Sequence, residues 1–172
     1  MAAGAGRRYG KPKVLVDGWL ESAVSALRGG GCGHVGVVLG AAVVPVPDGA
    51  VAVSAPDWDT GLSASVRAGL DYAERIRADY AALHVIDTPD VGAPVVERVI
   101  QRAVTSAGGL ARAVFGDQPG HPVVIAREHW PRIIGQLSGD EGAGRYLRTA
   151  RDVVTVECGD LADGVDHDYP GR

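Results

Sequence analysis

The stretch Ala81-Ala-Leu-His-Val-Ile-Asp-Thr-Pro-Asp-Val91 decides how this chain is read. Ala81 to Ile86 is an apolar, strand-like run, and Asp87 closes it ahead of a proline-bearing turn. Pro94 then stands where the first turn of a helix tolerates it, and Val96, Val99, Ile100 and Ala103 follow at helical spacing. A strand, a turn and a helix in that order make one unit of a layered α/β protein. A carboxylate at the end of such a strand can reach a hard cation bridging nucleotide phosphates. It can equally cap the turn or helix that follows.

The same alternation recurs on both sides. Trp19, Leu20, Ala23, Val24 and Leu27 repeat at helical spacing and stop at Gly29-Gly30-Gly31. His34 to Leu39 reads as a buried strand, Ala50 to Val53 as a shorter one, and Ser63 to Arg77 as a helix burying Val66, Leu70, Ala73 and Ile76. Further on, Leu110 to Val114 and Val123 to Ala126 read as strands around a glycine turn. Ile133, Ile134 and Leu137 mark a short helix, Gly142 to Thr149 another, and Val153 to Glu157 the last strand. Near-continuous apolar runs in the strands predict an α/β fold with an open, mostly parallel sheet covered on both faces, hence three layers. Ligands of such sheets bind beyond the carboxyl ends of the strands.

The N-terminal stretch Met1 to Lys13 sets Gly4, Gly6 and Gly10 among Arg7, Arg8, Lys11 and Lys13. Glycines let backbone N–H groups turn toward one point, and Arg and Lys suit phosphate oxygens. The stretch is either a phosphate-gripping loop or a loose basic terminus.

At 172 residues the chain is long enough for one domain over 1–172 and too short for two ordinary ones. Its apolar residues, 46% of the total, are mostly Ala and Val, which predicts a core of small side chains. A net charge of −4 with no basic stripe beyond the first loop argues against a nucleic-acid partner. Cys32 and Cys158 lie far apart and read as two reduced thiols. The most apolar run, Val35 to Val46, is cut by Gly36, Gly40 and Pro45, and no secretory leader pattern is visible. The expectation is a cytoplasmic protein with no membrane contact.

Ala2 to Lys13 resembles the signature loop of the MobA-like NTP transferases, with the glycines, Arg8 and Lys13 in register. It is most similar to the branch holding the molybdenum cofactor cytidylyltransferases. The resemblance implies a Rossmann-like nucleotidyltransferase fold in which the loop follows the first, central strand. Only Met1 precedes it here, so that strand is expected to be missing. It also implies transfer of a nucleotidyl group from an NTP to a phosphate-bearing acceptor, with pyrophosphate released. Ala3, Gly4, Gly6, Arg8 and Lys13 would surround the triphosphate, and Lys13 would also steady charge in the transition state.

Asp87 to Val91 resembles the family's Asp-x-Pro-x-Val motif, which implies that Asp87 is the Mg²⁺ ligand; Thr88 stands where many relatives carry Gln or Met. Asp117-Gln-Pro119 spells the commoner form of that motif but precedes Gly120-His-Pro-Val123, the acceptor-side segment containing His121. The run Trp58 to Leu70 resembles the element that closes over base and sugar. Gly61, Ser63 and Ser65 would face the nucleotide there, though both serines can simply cap a helix, and Ala55 replaces an upstream Asn of the relatives. His121 is read from its context as either a structural hydrogen-bonder or a group in the cleft. Asp140, in Gly139-Asp-Glu-Gly-Ala143, is either near the acceptor or an N-cap. In the acidic tail Asp166 leads as the second metal ligand ahead of Asp163 and Asp168, and Gly171-Arg172 replaces a final helix.

Ala2-Ala3-Gly4 is similar to the cytidylyl branch, whereas guanylyl relatives tend to carry Ala-Gly-Gly, so the resemblance implies CTP over GTP, with molybdopterin the acceptor and a molybdoenzyme the partner protein by analogy. A second subgroup, the actinobacterial nicotine blue oxidoreductases, is similar in Arg8 to Lys13 and Leu83 to Val91. It implies NAD(P)H-dependent reduction of a quinone-like pigment. A non-catalytic nucleotide-binding or chaperone-like partner of a molybdoenzyme is the third reading.

Overall fold

The computed structural model describes residues 1–169; Gly171-Arg172, where the final helix was expected to be missing, lies outside the described residues. Helix α1 (Trp19–Gly29) buries Leu20, Ala23, Val24 and Ala26 on one stripe. Strands β1 (Val35–Leu39) and β2 (Ala50–Ser54) then pair in parallel, Val35 opposite Ala50 and Leu39 opposite Ser54. Helix α2 (Leu62–Arg75) leads to β3 (Tyr80–Leu83), and α3 (Ala93–Thr105) carries its proline in the first turn. A hairpin of β4 (Leu110–Phe115) and β5 (Gln118–Ala126) precedes two short helices, α4 (Trp130–Gln136) and α5 (Gly144–Thr149). Strand β6 (Val153–Glu157) closes the order β3-β5-β4-β6.

In this second sheet β5 alone runs against its neighbours, β3 and β4, while β4 and β6 are parallel. The expected mostly parallel sheet therefore holds, with one reversal at the hairpin. The layers are also as expected. On one face Leu70, Ile125, Trp130, Ile133 and Leu147 join α2, α4 and α5 to the sheet. On the other, Val95, Val99 and Ala103 of α3 pack on Ala111, Ala113, Val124 and Cys158. Six of these, Val99, Ala103, Ala111, Ala113, Val124 and Cys158, are fully buried, so small side chains let helix and sheet approach closely.

Several element boundaries differ from the sequence reading. β3 stops at Leu83 rather than Ile86, β5 begins at Gln118 rather than Val123, and α2 ends at Arg75. The hairpin explains the second: pairing of Phe115 with Gln118 extends the ladder through residues too polar to read as a buried strand. The first follows from the gap beside β3. Between β1 and β3 lie only the first residues of the chain. The Ala2 N–H donates to the Val38 carbonyl at 3.0 Å, the Ala41 N–H donates to the Ala3 carbonyl at 2.9 Å, and the Met1 nitrogen reaches the His84 carbonyl. The strands thus form two sheets, β1-β2 and β3-β5-β4-β6, where a central strand would join them. Among the described residues, no helix is long and apolar enough to cross a membrane.

Candidate active site

Beyond the carboxyl ends of β1 and β3 opens a cleft of about 720 Å³, floored by residues 1–9 and walled by Asp87, the start of α2 and the C-terminal tail. The floor is shaped by Gly6. Its φ is +61°, its carbonyl accepts the Gly10 N–H at 2.8 Å, and a Cβ there would stand 1.8 Å from the Lys11 carbonyl oxygen. Only glycine permits that turn, which swings the chain back so that Lys13 enters the cleft. Across from it, Gly61 (φ +118°) touches the Gly139–Asp140 backbone, where a Cβ would meet the Gly139 carbonyl oxygen at 2.4 Å. This contact brings Asp140 to the rim beside α2.

Three acids and two cations meet at the centre. Lys13 Nζ donates to Asp87 Oδ2 at 2.6 Å and to Asp168 Oδ1 at 2.8 Å, and Arg8 reaches Asp168 Oδ2 at 2.7 Å. Burial pulls the Lys13 ammonium down, but the hydrogen bonds to Asp168 and Asp87 outweigh it and hold the group above its ordinary range. The bond from Lys13 keeps the Asp168 carboxyl below the usual carboxylate range, against a smaller opposing effect of burial. Asp166 goes the other way: lost hydration leads, the neighbouring Asp87 and Asp168 add to it, and its carboxyl rises.

The donor set suits a hard cation. Asp87 Oδ1 is buried with no hydrogen-bond partner, an oxygen that the lysine leaves over. Asp166, destabilised as a carboxylate by Asp87, would be relieved by a positive charge between them. Among the described residues, however, no three Asp, Glu, His or Cys side chains form a ready-made metal cage. Further oxygens would have to come from phosphates or water, the usual arrangement for Mg²⁺.

Of the residues the sequence singled out, Ala3, Gly4, Gly6, Arg8, Lys13, Gly61, Ser65, Asp87, Asp140 and Asp166 all line this one cleft. Ser63, His121 and Thr88 do not. Ser63 is buried, and its N–H donates to the Gly139 carbonyl at 3.0 Å. His121 Nδ1 contacts the Leu83 carbonyl at 3.2 Å within the sheet, where burial lowers its pKa. Thr88 is buried beneath the turn after Asp87. Asp117 sits at the exposed turn of the hairpin. His84 is buried just past the end of β3, and burial holds its pKa at about 3.

Two features had escaped the sequence reading. Asp168, ranked behind Asp166, is the tail residue that holds both loop cations. Asp90 anchors that tail by accepting the N–H groups of Asp163 and Gly164 at 2.8 and 3.0 Å. An aromatic relay from Tyr9 through Trp19 to His167, with ring centroids 5.4 and 5.7 Å apart, ties tail to loop. The dense acid spacing after Asp163 was the available signal, but spacing in a coil does not fix which carboxylate turns inward.

A cleft at the strand ends, a glycine-turned basic loop and a strand-terminal acid describe a nucleotide-handling α/β domain. The model of the MobA-like NTP transferase domain matches residues 1–154, and the chain belongs to that family. Nicotine blue oxidoreductase of Paenarthrobacter nicotinovorans is 31% identical, over 98% of this chain and 89% of its own. The Rv0371c homologue of Mycobacterium sp. strain JC1 superposes with a TM-score of 0.79 at 24% identity, covering 98% of this chain and 87% of that one. Rv0371c of Mycobacterium tuberculosis H37Rv, solved as a manganese complex, gives 0.70 at 23% identity over 95% and 89%.

Proposed function

We propose that the chain transfers a nucleotidyl group from an NTP, CTP in preference, to a phosphate-bearing acceptor such as molybdopterin, with Mg²⁺ bound. The observation that carries this reading is the 2.6 Å approach of Lys13 to Asp87 inside one cleft, with an unpartnered Asp87 oxygen beside it. Asp87 and Asp166 would hold the divalent ion, which supplies charge neutralisation across the phosphates. Five acids line the cleft (Asp59, Asp87, Asp140, Asp166, Asp168) against three basic side chains (Arg7, Arg8, Lys13). A polyanion therefore enters more readily with its cation than alone.

In the reaction an acceptor phosphate oxygen attacks the α-phosphorus in line, the bond to the β-phosphate oxygen breaks, and pyrophosphate leaves with that electron pair. A phosphate monoester is already deprotonated at neutral pH, so its attack asks no general base of the chain. The chain's part is positioning and charge. Lys13 would move from Asp87 and Asp168 to the phosphates as they arrive, and Arg8 would follow. Gly61 and Ser65 at the start of α2 would face base and sugar, with Asp140 on the acceptor side. A molybdoenzyme would be the partner that receives the product, in the cytoplasm.

A second reading rests on the relative named an oxidoreductase: hydride transfer from NAD(P)H to a quinone-like pigment, which takes the hydride and a proton. Arg8 and Lys13 would then hold the dinucleotide's pyrophosphate. One experiment separates the two. The protein is incubated with each NTP, Mg²⁺ and molybdopterin while pyrophosphate is followed, and in parallel with NAD(P)H and a quinonoid dye. Pyrophosphate release lost in Lys13→Ala and Asp87→Ala supports the transferase; NAD(P)H oxidation without pyrophosphate replaces it.

A further inference from the structure

Arg112 stands in the middle of β4, paired across the ladders with Val123 of β5 and Thr155 of β6. Its neighbours Ala111 and Ala113 pack on the α3 side, so the Arg112 side chain lies on the other face, with Leu110 and Val123. Thr155 beside it is exposed and Arg112 itself is half-buried, so the helices leave this part of the face open. The Arg112 Nε is sealed from water with no hydrogen-bond partner. Among the described residues the guanidinium meets no carboxylate. The charge that acts on it is another cation, Arg148 of α5, and burial, followed by Arg148, pulls it below its ordinary range.

Other arginines of the chain are treated differently. Arg98, Arg127 and Arg145 each meet a carboxylate within 3.3 Å, although they lie where water serves them nearly as well. Arg112 is less hydrated and unpaired, an arrangement that costs stability and that an incoming anion would relieve. Its neighbour Arg148 shares the Glu141 carboxylate with Arg145, at 3.7 and 3.3 Å, so that acid is already taken. The patch adjoins the cleft: Glu141 follows Asp140 on the rim, and His121 lies within electrostatic reach of both Asp87 and Arg112.

We propose that Arg112, backed by Arg148, binds a phosphate group of the acceptor on the open sheet face next to the cleft. The terminal nitrogens of the guanidinium fork would take two phosphate oxygens, and Arg148 would add charge. That the phosphate belongs to an acceptor rests on the transferase reading; the anion site itself does not.

The probe is inorganic phosphate, titrated into protein carrying ¹⁵N-labelled arginine while the Nε–H resonances are followed by NMR. The Arg112 resonance, identified by its loss in Arg112→Lys, is expected to move and to saturate in the millimolar range. Chloride at equal ionic strength should leave it in place, and Lys13→Ala should keep the response. Phosphate should also raise the thermal midpoint of wild type by at least about 2 °C more than that of Arg112→Met. Without phosphate, Arg112→Met should melt no lower than wild type, because it removes an uncompensated charge. With CTP–Mg²⁺ and molybdopterin, Arg112→Met should raise the acceptor KM at least about tenfold, with kcat and the CTP KM little changed. A resonance unmoved at about 50 mM phosphate, or moved equally by chloride, overturns the proposal. So does equal stabilisation of wild type and Arg112→Met by phosphate, or a lower midpoint of Arg112→Met without it, which would make the arginine structural. A responsive Arg112 in a protein that releases no pyrophosphate would refute the transferase reading and leave this site standing.

Discussion

Asp168→Asn is expected to tighten nucleotide binding. In the free protein the Asp168 carboxylate sits between Lys13 at 2.8 Å and Arg8 at 2.7 Å, where the phosphates of a nucleotide would compete for the same two cations. A charge-assisted hydrogen bond contributes about 1.5–3 kcal/mol net when sheltered. The Lys13 side chain is only 15% exposed, which brings its bond into that range. Asp168 is 31% exposed and Arg8 70%, so the Arg8 contact adds little. The carboxylate therefore opposes phosphate binding by about 1–2 kcal/mol, and at about 1.4 kcal/mol per tenfold its neutralisation tightens CTP–Mg²⁺ binding by about five- to thirtyfold. Isothermal titration of wild type and Asp168→Asn measures this directly, with Mn²⁺ affinity followed separately by electron paramagnetic resonance. Weaker nucleotide binding, together with a tenfold or larger loss of Mn²⁺ affinity, would show that Asp168 holds the cation instead of mimicking the phosphate.

Lys13→Ala should lower the rate of pyrophosphate release by about 10²–10³-fold, read in a coupled phosphate assay, with the thermal midpoint showing whether the fold survives. Asp87→Asn should weaken Mn²⁺ binding at least about tenfold by titration. Gly6→Ala forces a Cβ against the Lys11 carbonyl at a φ of +61° and should destabilise the protein by about 1–3 kcal/mol in urea unfolding, with nucleotide affinity falling in step. Stability should also depend on pH through Met1. Its amine falls from 8.0 when unfolded to about 6 when folded, so the unfolded chain binds more protons between those values and stability rises with pH across that window. At about 1.36 kcal/mol per pH unit the gain approaches 2–3 kcal/mol. An acetylated chain should show a flat profile from pH 6.5 to 8, above the window in which His84 and His121, both lowered by burial, contribute.

The layered fold was legible because its signals are local and redundant. The helical spacings of α1, α2 and α3 and the apolar runs of β1, β3 and β5 each point to the same three layers. The floor of the site was legible for a related reason: glycines at positions that need a left-handed turn, followed by Lys13, describe one short loop. The roles of the tail were not. Asp163, Asp166 and Asp168 lie in coil without periodicity, and the His167 N–H donating to the Asp87 carbonyl at 2.9 Å, the Asp90 anchor and the Tyr9–Trp19–His167 contacts decide that Asp168 faces Lys13. Of the two readings left open for His121, its hydrogen bond to the Leu83 carbonyl, across 38 residues, favours the structural one.

The bare edges of β1 and β3 bear on how this protein behaves in a tube. Val-Gly-Val-Val-Leu and Tyr-Ala-Ala-Leu carry no lysine, no proline and no charge, the devices by which sheet proteins keep such margins from templating one another. Copies that breathe open there can stack margin to margin into ordered precipitate, so dilute handling and charged flanking tags are the practical safeguards.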